Sequence, residues 1–273
     1  DRVASRGLGD VYKRQAMHVA KTGLNAQQVR MQVIANNLSN VNTTGFKKDR
    51  ANFETLLYQV IRNSGDQTSA ETNLSSAFAV GTGTRIVNSD KLFSQGNIVS
   101  TDNALDLSVD GGGFFQVLMP DGRIGYTRNG AFSRNAEGLL TTSSGYPVQP
   151  EIQIPLEATQ VNISSDGIVS VQVPGAVEAE EIGQMQLADF PNRRGLQPIG
   201  ESFLVETPAS GEAVISEPFV GGMGKLVQGA LESSNVNVVQ ELVDMIETQR
   251  AYEVNSKAIS GVDDMLRFIN QNL

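Results

Sequence analysis

Two seven-residue beats lie at opposite ends of the chain. Near the start, Met17, Leu24, Met31 and Leu38 fall in one row with Ala20, Ile34 and Val41 beside it. Near the end, Val238, Met245, Tyr252, Ile259, Leu266 and Leu273 repeat at the same interval, flanked by Leu242, Ile246, Val262, Met265 and Ile269. Apolar residues at that spacing form a stripe along one side of a helix. A single stripe does not hold a helix in water by itself, so each needs a partner. The economical solution packs the two terminal helices on each other and on copies from other chains. Two helices closing a monomeric core is the plainer alternative.

Between the helices the texture changes. The runs LDLSV, FFQVLM, IGYTR and VNISS are short and β-prone, and they are punctuated by Gly111–Gly113, Asp121-Gly122, Asn129-Gly130 and Asp166-Gly167. Asp-Gly and Asn-Gly tolerate the positive φ of tight hairpins, so this region predicts an antiparallel all-β module. The glycines are not a phosphate loop, because no GxxxxGK[ST] follows and strand pattern flanks them on both sides. Residues 61–85 are rich in Ser, Thr, Asn and Gly and predict a long extended connector. A second polar, glycine-containing stretch, 206–225, returns the chain toward the C-terminal helix.

The expected fold is therefore mainly β with α: terminal helices forming a coiled-coil domain, an extended linker, and a central antiparallel β domain. The expected segments are 16–47 plus 232–273 for the helical core, 48–96 for the linker and β-rich connector, and 97–231 for the outer β domain. Residues 1–15, DRVASRGLGDVYKRQ, begin without Met and carry no stripe that joins the next pattern, so they are set aside as a non-native or disordered leader. No basic-then-apolar secretory leader is read, so if the chain leaves the cytoplasm another route carries it.

Composition removes most chemistries. There is no cysteine, which excludes disulfides and thiolate ligands or nucleophiles, and the one histidine is His18, in a helical pattern. Zinc catalysis takes roughly two or three imidazoles, and a Ser-His-Asp triad would have to pass through that helix. Glu180-Glu181 and Asp263-Asp264 are the clustered acids, and with no tryptophan in the chain to line a sugar groove they read as solvated faces. Acidic residues outnumber basic ones 30 to 21, and no Lys/Arg run tracks a phosphate backbone, so nucleic acid is not an expected partner. No apolar run of about 18 residues predicts a membrane span. No enzyme activity, metal or cofactor is expected.

Four stretches carry a resemblance: ANNLSNVNTTGFK at 35–47, GFFQV at 113–117, YTRNGAF at 126–132 and SSNVNVVQELVDMIETQRAYEVNSKAI at 233–259. Together, and in this order, they resemble the rod and hook proteins of the bacterial flagellum, from about Ala16 to the C-terminus. The run at 56–85 is most similar to the distal-rod branch, with proximal-rod and hook members as alternatives. The resemblance implies terminal helices lining a tube, a β domain outside, and helical self-assembly into a shaft that crosses the periplasm, transmits torque from motor to hook and encloses an export channel. It also implies export without a cleaved leader by the flagellar type III apparatus, and contacts to proximal-rod, hook and ring proteins. The alternatives of a different class are a secreted adhesin or a β-domain hydrolase on a coiled-coil stalk.

Within this frame the subunit interface is expected at Met17, Leu24, Met31, Ile34, Leu38, Val238, Leu242, Met245, Tyr252, Ile259 and Leu266. IANNLSNVNTTGFKK at 34–48 is expected to be a joint. There Asn36, Asn37, Asn40 and Asn42 supply amide donors and acceptors, Gly45 takes positive φ as the helix ends, and Phe46 anchors the start of the linker.

Overall fold

The structure, a computed structural model, describes residues 2–62, 67–69, 72–73, 77–174 and 179–271. Among these residues it is mainly β, with one long helix toward each end and antiparallel sheets, beside one isolated parallel bridge between Gly112 and Met223. The chain divides into two compact units: 1–38, 49–90 and 238–273 form one, and 39–48 with 91–237 form the other.

In the first unit, helix α1 spans Arg2–Ser39 and helix α2 spans Val238–Gln271. The sequence predicts no helix before Ala16, yet the backbone from Arg2 continues the turn. The physical reason is that extending a formed helix costs far less than nucleating one. The connector also has more order than its composition suggests. Strand β1 (Asp49–Thr55) pairs with β4 (Thr84–Lys91), and β2 (Tyr58–Arg62) pairs with β3 (Phe78–Gly81). Val60, Ile61, Phe78 and Val80 are strand formers, and cross-strand pairing satisfies backbone groups that an isolated connector would leave to water.

The second unit is built on a seven-stranded sheet. Its strands are β5 (Phe114–Leu118), β6 (Ile124–Thr127), β7 (Val148–Gln149), β8 (Leu187–Asp189), β9 (Gln197–Gly200), β10 (Phe203–Val205) and β11 (Val214–Ser216), in the order β9-β10-β6-β5-β8-β11 with β7 also paired to β5. Because β5 is central, it is apolar on both faces. Phe115 enters a core with Leu107, Phe132, Leu140, Ile154 and Leu187, while Phe114 enters a second with Tyr126, Ala188, Phe190 and Leu204. Edge-to-face rings fix both cores, Phe115 with Phe132 at 5.0 Å and Tyr126 with Phe190 at 4.7 Å between centroids.

Two expected hairpins form as read. Asp121-Gly122 joins the paired β5 and β6, and Asp166-Gly167 joins the paired strands Gln160–Ile163 and Ile168–Gln172. Asn129-Gly130 does not make a hairpin, since β6 pairs with β5 and β10 while Phe132–Arg134 pairs with Leu140–Thr142. Its glycine serves close approach instead: a Cβ there would lie on the carbonyl of Leu107, whose amide donates to the Gly130 carbonyl at 3.0 Å.

Candidate functional site

The expected joint is built as two polar clusters, one in each unit. In the first unit the amide of Asn37, itself buried, makes three bonds. Its Nδ2 donates to the Asp49 carbonyl at 2.9 Å and to Glu241 Oε2 at 3.1 Å, and its Oδ1 accepts the Asp49 amide at 2.8 Å. Asn36 Nδ2 donates to the Asp49 carboxylate at 3.2 Å. One asparagine thus joins the end of α1, the start of β1 and the first turn of α2, where Glu241 also suits the helix dipole.

The same helices meet again farther along. Arg30 stands 3.7 Å from Asp244, a Cβ on Gly23 would lie 3.3 Å from Asn255 Nδ2, and Met17, His18 and Lys21 share a cleft with Ile259. Residue numbers fall along α1 as they rise along α2, so the two run antiparallel. The face of α2 toward α1 carries Glu241, Asp244, Thr248 and Asn255, with Glu241 and Thr248 buried; on α1 the buried residues are Ala26, Ile34 and Asn37. Of the expected apolar rows, Met17, Leu24, Met31, Leu38, Met245 and Ile259 are half-buried. Val238, Leu242 and Tyr252 are exposed, as are Val239, Val243, Ile246 and Val254. The Leu266 side chain lies outside the described residues.

In the second unit, Gly45 has φ +69° and donates its amide to the Glu232 carbonyl at 2.8 Å. A Cβ there would stand 2.5 Å from the backbone nitrogen of Asn129 and 2.6 Å from the carbonyl carbon of Arg128. Phe46 lies under the Lys91 ammonium, 5.0 Å from the ring centre. Thr43 donates its hydroxyl to Asn40 Oδ1 at 3.2 Å, and Asn42 is exposed.

Behind them is a buried ion triad. Lys47 Nζ donates to Glu232 Oε1 at 2.6 Å, and Arg128 Nη1 donates to Oε2 at 3.3 Å. The Gly96 amide donates to Oε1 at 2.8 Å, the Ser94 carbonyl accepts from Lys47 at 2.9 Å, and the Val109 and Gly111 carbonyls accept from Arg128. All three side chains are at most 4% exposed. Burial pushes the Lys47 ammonium and the Arg128 guanidinium below their ordinary values, and Glu232 opposes both shifts. Nearby, Asn235 accepts the Lys48 amide at 2.7 Å and donates to the carbonyls of Leu92 and Ser94.

Sequence reasoning missed Glu232, Lys47, Arg128 and Glu241. Alternation offered one signal: in Ala230–Glu232 the first and third residues face inward, which turns a carboxylate toward the core. Glu180 and Glu181 are exposed, and His18 is exposed on α1. Among the described residues no helix is long and apolar enough to cross a membrane, and no His, Asp and Glu group has the arrangement of a metal site. What the two clusters do chemically is hold backbone, with buried charge fixing chain crossings while apolar side chains of α2 stay outside. This is the arrangement of a structural subunit.

Comparison with known proteins agrees. Residues 17–47 match the flagella basal body rod protein, 108–171 the flagellar hook protein FlgE/F/G D1 domain, and 227–272 the flagellar basal body rod FlgEFG protein C-terminal domain. The flagellar basal-body rod protein FlgG of Buchnera aphidicola subsp. Schizaphis graminum is 50% identical over 94% of this chain and 98% of its own length. The proteins of the same name from Caulobacter vibrioides and Bacillus subtilis are 43% and 35% identical, over 94% and 93% of this chain and 98% and 97% of theirs. The chain belongs to the flagellar basal-body rod protein family.

Proposed function

We propose that this chain is a structural subunit of the distal rod, polymerising helically into the hollow shaft that carries torque from motor to hook and encloses the export path. Its partners are then further copies of itself, the proximal-rod and hook proteins, and the rings around the shaft. It reaches the periplasm through the flagellar type III apparatus. In the polymer α1 and α2 form a coiled-coil layer, and the expected rows Met17, Leu24, Met31, Leu38 and Val238, Leu242, Met245, Tyr252, Ile259, Leu266 are covered by neighbouring copies, whereas Ile34 is already buried within the chain.

The observation that carries the reading is the outer face of α2. Val239 is 71% exposed and Leu242 44% exposed, and the apolar surface continues through Val243 and Ile246. A lone soluble chain gains nothing from such a row, whereas a polymer buries it. Leu242→Asp should remove rods seen by electron microscopy while leaving the melting of the purified chain unchanged, because the side chain makes little of the single-chain core. Normal rods in cells carrying only this variant would refute the assignment.

A further inference from the structure

At one edge of the seven-stranded sheet, β11 carries Val214 and Ile215, both exposed, and the turn after it holds Phe219 and Val220, 73% and 53% exposed. Phe219 has φ +68°. A bulky residue there is strained, and an aromatic ring in water returns none of that strain to the isolated chain. Nor is the turn loose: Phe219 donates its amide to the Gly224 carbonyl at 3.1 Å, and Met223 donates to Val220 at 3.0 Å. The backbone is held so as to present the ring outward.

The opposite edge of the same sheet is the β9–β10 hairpin. It walls a cleft of about 280 Å³ lined by Phe46, Phe114, Pro198, Phe203 and Leu204. That volume stands at the lower end of the roughly 300–1,000 Å³ of small-molecule pockets and is enough for one large side chain. Charge agrees with a match between the two edges. Exposed Glu212 and Glu217 flank the projecting residues, while Lys91 stands at the cleft over Phe46. The acid at the cleft, Glu201, accepts a hydrogen bond from Ser144 at 2.7 Å.

We propose that Phe219, with Val220, docks into the aromatic cleft of a second copy of this chain, so that β units join knob to hole along the assembly. The knob and the hole lie on opposite edges of one sheet, which makes the contact heterologous. Repeated heterologous contacts that do not close into a ring build an open helical array. The inference rests on the rod reading and adds to it a specific outer-domain contact independent of the helices.

Two measurements test it in basal bodies from cells that carry the variant as their only copy. Phe219→Asp should abolish rods with the melting of the purified chain unchanged, and Phe219→Leu should restore them. The chain has no cysteine, so engineered thiols report without background. Phe219→Cys combined with Ser202→Cys at the cleft should give, on oxidation, a ladder of covalent oligomers. Mixed chains carrying one substitution each should stop at dimers. Normal rods from Phe219→Asp alongside absent rods from Leu242→Asp would overturn the knob contact while leaving the rod reading intact. Efficient cross-linking of Phe219→Cys to itself would overturn it too, because that is a symmetric contact.

Discussion

Glu232→Gln keeps the size of the side chain and removes the one negative charge that faces both Lys47 and Arg128. The carboxylate is fully buried and receives three donors at 2.6, 2.8 and 3.3 Å, so its loss leaves two buried cations without their counter-ion. Breaking such a pair from one side costs about 3–5 kcal/mol. For a unit of about 150 residues, that lowers Tm by roughly 6–20 °C. The readout is thermal melting of the full chain together with hydrogen exchange at the β5 amides, which reports the β unit specifically. Lys47 supplies a sign to check. Its folded pKa already lies below the ordinary 10.5 through burial, and losing Glu232 lowers it further. The unfolded variant then binds more protons than the folded one, so its stability should rise with pH from the lowered value up to about 10.5. A loss under about 1 kcal/mol, or no coupling to Lys47→Met in a double-mutant cycle, would show that the triad does not hold this part of the fold.

Gly45→Ala should unfold the β unit rather than merely impair assembly: left-handed φ costs about 1–2 kcal/mol in a residue with a Cβ, and the new atom would meet backbone of Arg128 and Asn129 that has little room to yield. Loss of rods with unchanged melting would instead put Gly45 at a contact between copies. Tyr126, with its pKa raised to about 12 by burial and by Glu206, should stay neutral when ordinary tyrosines ionise. Its contribution to stability is present below pH about 10 and is lost as pH rises toward about 12; ultraviolet titration of the phenolates with parallel melting checks this, and a Tyr126 that ionises near 10 would contradict it.

Local grammar made much of the fold legible. Heptads located the two long helices, and Asp121-Gly122 and Asp166-Gly167 located hairpins; Gly45 has the expected positive φ, but six residues past the end of α1, in a turn pressed against the backbone of Arg128 and Asn129 rather than at the helix end. Asn129-Gly130 misled because the dipeptide is ambiguous: its glycine answers to Leu107, a neighbour no local rule supplies. Apolar counting also pointed away from the face of α2 that meets α1. Glu241, Asp244, Thr248 and Asn255 are polar, and a rule that searches for hydrophobic stripes passes over them. The ion triad was least legible, since Lys47 and Glu232 stand 185 positions apart and no periodicity links them. Of the four asparagines, Asn37 is the one the structure buries, and its bonds reach Asp49 and Glu241.

The chain passes between its two compact units four times, after residues 38, 48, 90 and 237. On the β side three of these passages are laced to one another, with Asn235 bonded to Lys48 and Leu92, and Lys48 accepting the Leu92 amide at 2.8 Å. A single covalent thread acts as a swivel, because rotation about its bonds lets a load slip. Three threads laced side by side have no such freedom without winding around one another. For a rod subunit, this lacing makes resistance to twist at the crossing a property of chain connectivity.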